Sequence, residues 1–468
     1  MEYICRVWGK QIKIIGWFLE MEKKKKSPRR LKFNTVQTVV IGFFGVILGG
    51  GILLSLPICN QKPIEFIDAL FTSVSSVCVT GLVTIVPAEQ FTLLGKIILL
   101  LLIQVGGLGV IACMSAFFLL LGKKINMKGR ITIQQAYGLD TLSGLVKFVI
   151  RILKGTFLVE GIGAVLFSLR FIPEFGFIKG VGYAIFHSVS AFCNAGIDIL
   201  GSTSFIQYSG SWLINFTTMF LIVMGGLGFP VWHDIAINIK KMTEIKKRPL
   251  KWLFTRLCLQ SKIVLTMTGL LILCGAVGFF LLEFNNPETM GDMNLLEKMT
   301  ASLFQSVTTR TAGFATVPQG DLRESSKLLG CMLMFIGGSP AGTAGGVKTT
   351  TIAMLLLTVL CVLKNKRDTE CFARKIDNNI VRSGITALTI FEPGIDFLDL
   401  TYEAASAMGT VGLTADLTPI LSRGSHVILM ILMYVGRIGP LTMALALSGR
   451  SDKISKFREL PEENVMLG

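Results

Sequence analysis

The sequence predicts an all-α polytopic membrane protein built from four repeats, each a spanning helix, a short helix and a second spanning helix. Three observations carry this expectation. Of 468 residues, 51% are hydrophobic and only 16% are charged, with a mean hydropathy of +0.63; an ordinary soluble domain carries about 25% charged residues. Apolar stretches recur from residue 36 to residue 448, and no polar segment between them is long enough to form a core of its own. Four short Ser/Thr-rich segments, each ending near a glycine, interrupt these stretches at regular places.

The same composition excludes other classes. The formal net charge is +16, but the basic residues lie in short clusters between apolar spans. That pattern belongs to loops facing anionic lipid, so the bilayer is the expected partner and nucleic acid is not. The ten cysteines contain no CxxC pair and read as small buried hydrophobes. His187, His233 and His426 are too scattered for a metal site. No Ser/His/Asp or paired-carboxylate constellation stands out, so an enzyme is not expected.

Taken in order, residues 1–35 form a basic arm with lysines at 23–26 followed by Arg29 and Arg30. A secretory signal places charge before its apolar run, and here the order is reversed, so the arm is read as uncleaved and cytoplasmic. A helix needs roughly 20 apolar residues to cross a bilayer. The spans expected on that basis are 36–56, 92–121, 145–169, 211–238, 262–283, 325–363 and 424–448. Between them lie segments too short to cross, at 66–80, 182–195, 298–311 and 399–410, read as re-entrant. The loops 122–130, 240–256 and 364–382 are rich in Lys and Arg, whereas 284–296 is acidic. Basic loops stay inside, which places both termini in the cytoplasm and all four short segments on the outer side. Repeat 1 is then 36–121, repeat 2 is 140–240, repeat 3 is 260–363 and repeat 4 is 381–448, with a cytoplasmic tail at 449–468.

The short segments read TSVSSVCVTGL, HSVSAFCNAGI, QSVTTRTAGFA and EAASAMGTVGL. Their last tripeptides are Val79, Thr80 and Gly81; Asn194, Ala195 and Gly196; Thr311, Ala312 and Gly313; and Thr410, Val411 and Gly412. Irregular backbone survives at membrane depth only when buried in protein or lining water. Glycine turns carbonyls inward without filling the space they surround. Four such turns on one face therefore predict a central ion pore, in which carbonyl oxygens replace the hydration shell of a monovalent cation. The short helices would aim their partially negative C-terminal ends at the same axis. Further along, the sixth span is broken by Gly337, Gly338, Gly342, Gly345 and Gly346, with the lone Lys348 among them. A broken span under the turns is a natural gate. Arg437 lies within the last apolar span, where an arginine costs at least roughly 2.5–3.5 kcal/mol and usually serves function.

These residues resemble the Trk/Ktr/HKT superfamily of potassium transporters, specifically its KtrB-like membrane subunits. The pieces that carry the resemblance are VTGL at 79–82, NAG at 194–196, RTAGF at 310–314, TVGLT at 410–414, GGSPAGTAGGVKTTT at 337–351 and YVGRIGP at 434–440. The resemblance implies potassium uptake across the cell (plasma) membrane and a homodimer with one pore per subunit. It also implies a cytosolic KtrA-like ring of nucleotide-binding regulatory subunits. No cofactor is then bound by this chain; the potassium ion is its cargo, and nucleotide belongs to the partner. The resemblance makes 337–351 an intramembrane gating loop and Arg437 a positive charge in the pore below the filter. Glycine at all four filter positions favours potassium over sodium.

One departure stands out. Gly412 follows Gly313 by 99 residues, whereas the two earlier intervals are 115 and 117. Only nine residues separate Arg382 from Glu392; as a helix they reach about 14 Å against a core of about 30 Å. The first helix of repeat 4 is therefore expected to be truncated, and the fourth filter segment to enter from the opposite side unless 364–391 crosses in another way. This leaves two alternatives to uptake by uniport, a sodium- or proton-coupled symporter and a non-conducting variant.

Overall fold

The computed structural model describes residues 35–109, 144–244, 250–353 and 395–439, with isolated positions between these stretches. The described residues are overwhelmingly helical, with two isolated β-bridges, Asn60 to Phe91 and Ile336 to Val347. The architecture is a polytopic membrane fold. Leading helices are Thr35–Ser55, Leu145–Phe175 and Leu259–Glu283; short helices are Phe66–Cys78, Phe177–Cys193, Leu295–Thr308 and Phe397–Gly409. Trailing helices are Leu93–Leu108, Trp212–Gly226, Glu324–Phe335 and Arg423–Ile438. The basic arm, the tail and the stretch in which a truncated first helix of repeat 4 is expected lie outside the described residues, save for isolated positions.

Local chemistry explains where these helices begin. Thr92, Asp396 and Ser422 each cap a helix by accepting a backbone N–H with the side chain, and Asn294 with Glu297 forms a capping box. Of the described helices, Leu145–Phe175 and Leu259–Glu283 are each long and apolar enough to cross by themselves. Leu93, Leu169, Leu273 and Leu281 stand exposed on the outside, the apolar surface a bilayer covers.

Two spans differ from expectation. The stretch 211–238 is not one crossing: Trp212–Gly226 and the following helix Phe229–Glu244 meet at a 99° bend. Gly228 supplies the positive φ of the break (89°), and Pro230 fits the first turn of the next helix. The span expected over 92–121 ends its first helix at Leu108, where Gly109 takes φ 83°. The second short helix also starts earlier than the expected 182, at Phe177, directly after Gly176 (φ 79°).

Packing is cyclic. Each described leading helix lies against the short helix of its own repeat, and each trailing helix lies against the short helix of the next. The trailing helix Arg423–Ile438 closes the circle on Phe66–Cys78 of repeat 1. Ion pairs fasten two of these contacts near the starts of the helices. Lys327 Nζ lies 2.6 Å from Asp399 Oδ1, joining repeats 3 and 4. Arg423 reaches Asp68 at 2.9 Å and Glu65 at 2.5 Å, joining repeats 4 and 1. The Lys327 side chain is 10% exposed and that of Arg423 is 49% exposed, so the two are not equivalent. Arg423→Gln is expected to cost no more than about 1 kcal/mol. Lys327→Met strands a shielded carboxylate and should cost about 3 kcal/mol. Thermal unfolding in detergent checks the order, with Lys327→Met melting well below Arg423→Gln.

Candidate functional site: a glycine ring over an intramembrane loop

The four short helices all give way to left-handed backbone. Val79, Asn194, Thr311 and Thr410 take φ of 56°, 60°, 70° and 54°, and two residues later Gly81, Gly196, Gly313 and Gly412 take 102°, 63°, 83° and 94°. In repeats 1, 2 and 4 the turn is a Schellman closure. The N–H groups of Thr80, Ala195 and Val411 donate to the carbonyls of Ser75, Ser190 and Ser406, each at 2.8 Å. Repeat 3 has one residue fewer between its bracing hydroxyl, on Thr308, and its glycine, and there Ala312 N–H donates to Thr308 O at 2.9 Å instead. Hydroxyls brace the turns. Gly81 and Gly412 donate their N–H to Ser75 Oγ and Ser406 Oγ, both at 3.0 Å. Ser190 and Thr308 donate to Ile197 O and Phe314 O, both at 2.6 Å. The signal for these braces in the sequence is a serine six residues before the glycine, present in three repeats and missed when the tripeptides alone are read.

The twelve residues singled out from the sequence are all buried and come together. Their order around the centre follows from what a methyl group on each glycine would strike. On Gly81 it would lie 2.6 Å from Ala195 O, on Gly196 2.4 Å from Ala312 O, on Gly313 2.3 Å from Val411 O and on Gly412 2.0 Å from Thr80 O. Each glycine thus abuts the middle carbonyl of the next repeat, and the series closes on itself. The shortened interval before Gly412 does not displace it. The expected entry of the fourth segment from the opposite side is corrected: Phe397–Gly409 meets the ring as the other short helices do.

Glycines of the trailing helices press beneath the same turns. A methyl group on Gly106, Gly225 or Gly436 would come within 2.3 Å, 1.9 Å or 2.1 Å of Val77 O, Phe192 O or Met408 O. Such approach admits glycine alone.

The segment after Phe335 leaves the helical path, as its glycines require, and lies across the underside of the ring. Ser339 and Thr343 donate their N–H to Gly226 O (3.0 Å) and Gly225 O (3.2 Å), and Phe229 N–H donates to Ala341 O (3.0 Å). The loop therefore rests on the bend of repeat 2. A methyl group on Gly345 would meet Thr410 Oγ1 at 2.0 Å, and one on Gly337 would meet Gly345 O at 2.1 Å. Thr343 Oγ1 lies 3.4 Å from the side-chain amide of Asn194, which also reaches Thr311 Oγ1 at 3.3 Å. Lys348 Nζ donates to Ala344 O at 2.8 Å and curls the loop onto itself. Arg437 does not stand free: its guanidinium donates to Thr343 O in the loop and to Gly106 O and Gly107 O of repeat 1.

One buried group is not legible in the sequence, where no carboxylate stands out. Glu160, 5% exposed, sits in Leu145–Phe175 and accepts from Gln104 Nε2 at 3.0 Å and 3.3 Å. A lone Glu in an apolar run gives no clue to which side it faces.

A helical membrane body with a closed ring of backbone carbonyls is the architecture of a membrane transport protein, not of an enzyme. The TrkH family, described as cation transport protein, matches residues 9–457. The chain belongs to that family. It is 37% identical to the potassium/sodium uptake protein NtpJ of Enterococcus hirae and to the Ktr system potassium uptake protein B of Bacillus subtilis, in each case over 95% of this chain and 99% of the relative. The crystal structure of the potassium transporter TrkH from Vibrio parahaemolyticus shares the fold, with a TM-score of 0.68 and 18% identity over 90% of this chain and 86% of that one.

Proposed function

We propose that this chain takes up potassium across the cell membrane through the central ring, with Val79 to Gly81, Asn194 to Gly196, Thr311 to Gly313 and Thr410 to Gly412 as its selectivity filter. The observation that carries this reading is the closed order of glycines and carbonyls, each glycine seated on the next repeat's carbonyl oxygen. Such a ring offers oxygens to a dehydrated cation from four sides. Two hydroxyls in the tripeptides, Thr80 Oγ1 and Thr410 Oγ1, are buried with no hydrogen-bond partner, so their oxygen lone pairs are free to coordinate a potassium ion. Four helix C-termini facing the ring add partial negative charge. Beneath it, the loop with Gly337, Gly338, Gly342, Gly345, Gly346 and Lys348 is the gate, and Arg437 holds that gate against repeat 1.

Both termini and the basic loops lie on the cytoplasmic side in this reading. The two relatives at 37% identity carry names of uptake systems for potassium, one of them a Ktr system. In this reading the chain works as a homodimer, with a cytosolic KtrA-like nucleotide-binding ring that biases the loop. The chain itself binds no cofactor beyond its cargo. Membrane potential supplies about 2.3 kcal/mol per charge per 100 mV, enough to drive uptake without a second ion. A coupled symporter is the second reading, favoured by the buried Glu160 at the junction of repeats 1 and 2.

Flux in reconstituted vesicles, with potassium and sodium gradients set separately, tests the proposal. Potassium entry driven by voltage alone is expected. Entry that requires an inward sodium or proton gradient favours the symporter, and no flux with either ion marks a non-conducting variant.

A further inference from the structure

Glu403 is fully buried in the fourth short helix, three residues before the serine that braces Gly412. Its carboxylate does not bond back to its own helix. Oε1 accepts from Thr414 Oγ1 and from Ala415 N–H (3.0 Å), and Oε2 accepts from Thr418 Oγ1 (2.8 Å). All three donors belong to the segment that leaves the ring after Gly412. Each contact takes a hydrogen bond and none gives one, the pattern that suits an ionised carboxylate.

The corresponding positions in the other repeats hold no carboxylate. Thr72 donates to Asp68 O (2.8 Å), within its own helix. His187 Nδ1 faces Tyr183 O (2.7 Å), also within its own helix. In repeat 3 the position, three residues before the bracing Thr308, is Gln305, whose side-chain amide pairs with that of Gln319 on the exit segment (2.6 Å and 3.1 Å), a neutral version of the same tie. Among the described residues, the fourth quarter of the ring is thus the one whose exit is tied to its short helix by a charged side chain at this position. Thr418 O in turn faces His426 Nε2 at 2.8 Å, which extends the tie to the last trailing helix.

We propose that Glu403 is a positioning residue for ion discrimination: by gathering Thr414, Ala415 and Thr418 it fixes the backbone that leaves Gly412, and so the placement of the fourth wall of the filter. The inference rests on the filter reading above. Hydrogen bonds to a charged group are worth more than neutral ones, and a buried donor left unpaired is costly. A ring that separates potassium from sodium through its carbonyl oxygens depends on how each wall is held.

The test is the ratio of potassium to sodium flux in vesicles holding the full-length protein. Glu403→Gln keeps the volume but presents an amide N–H₂ where the site offers only donors. The ratio should fall about tenfold, with unchanged elution and melting in detergent. Glu403→Asp keeps the carboxylate and should recover part of the loss. A purely structural role would lower both fluxes together and leave the ratio alone, which would overturn the proposal. Gly412→Ser serves as the control. If it lowers the ratio while Glu403→Gln does not, Glu403 has no positioning role and the filter reading stands. If neither variant moves the ratio, the filter reading itself fails. Should Glu403→Gln not fold, Thr418→Val removes a single donor and should still lower the ratio; an unchanged ratio there also counts against the proposal.

Discussion

Gly412→Ala is expected to remove potassium selectivity and most potassium flux. The added methyl group would lie 2.0 Å from Thr80 O and 2.8 Å from Gly81 Cα, closer than any real contact, and neither neighbour is a side chain that can swing away. The backbone at this position has φ 94°, a conformation that costs a residue with a side chain about 1–3 kcal/mol. Either the methyl group fills the ring or the fourth wall moves outward, and both outcomes change the oxygen cage. A loss of at least tenfold in potassium flux should accompany the fall in the potassium-to-sodium ratio. Gly182→Ala, at a glycine with nothing within 4 Å, should leave both quantities unchanged. A Gly412→Ala protein that conducts potassium selectively would refute the ring as filter.

Arg437→Gln should act in the opposite direction and raise flux. In the wild-type arrangement the guanidinium bridges Thr343 O in the loop and the carbonyls of Gly106 and Gly107 in repeat 1. Each hydrogen bond from a charged donor contributes about 1.5–3 kcal/mol. Losing one of them shifts a closed-to-open balance by roughly ten- to a hundredfold. Potassium flux through the chain reconstituted alone should rise accordingly until the open state dominates. Deleting residues 342–346 should raise flux as well, and adding Arg437→Gln to that deletion should contribute nothing further. If Arg437→Gln folds and conducts no more than the parent, the loop is not held shut by this side chain.

The contrast between these two sites marks what the sequence made legible. Glycine is diagnostic wherever backbone meets backbone, so four registered tripeptides were enough to place Gly81, Gly196, Gly313 and Gly412 around one centre. The broken span at Gly337 and Gly338 was readable for the same reason. The partner of Arg437 was not, because its acceptors are main-chain carbonyls, and every residue carries one of those. Glu403 was hidden differently. Its donors, Thr414 and Thr418, look like ordinary turn residues until the chain folds back over the short helix. The bend at Gly228 was half visible: the glycines marked weakness, but hydropathy ran on through Phe229 and Val231, and the length of the apolar run favoured a continuous span. The spacing before Gly412 marked a shortened approach without showing its course: 364–391 lies outside the described residues save for isolated positions, and Phe397–Gly409, packed against Glu324–Phe335, still reaches the ring.

The cyclic order of the four walls within one polypeptide has a genetic consequence. In a pore assembled from four copies of a chain, any codon change is imposed on every wall at once. Here a single codon change leaves the sequence of three walls unchanged, so on the filter reading substitutions milder than those of the ring glycines can change selectivity one wall at a time. Walls 2 and 3 already differ from walls 1 and 4: Ile197 and Phe314 follow their glycines where the others have Leu82 and Leu413, and the hydroxyls of Ser190 and Thr308 donate to a carbonyl where those of Ser75 and Ser406 accept from the glycine N–H. Divergence among them is therefore open to selection one wall at a time, and a lineage can pass between ion preferences through intermediates that still conduct.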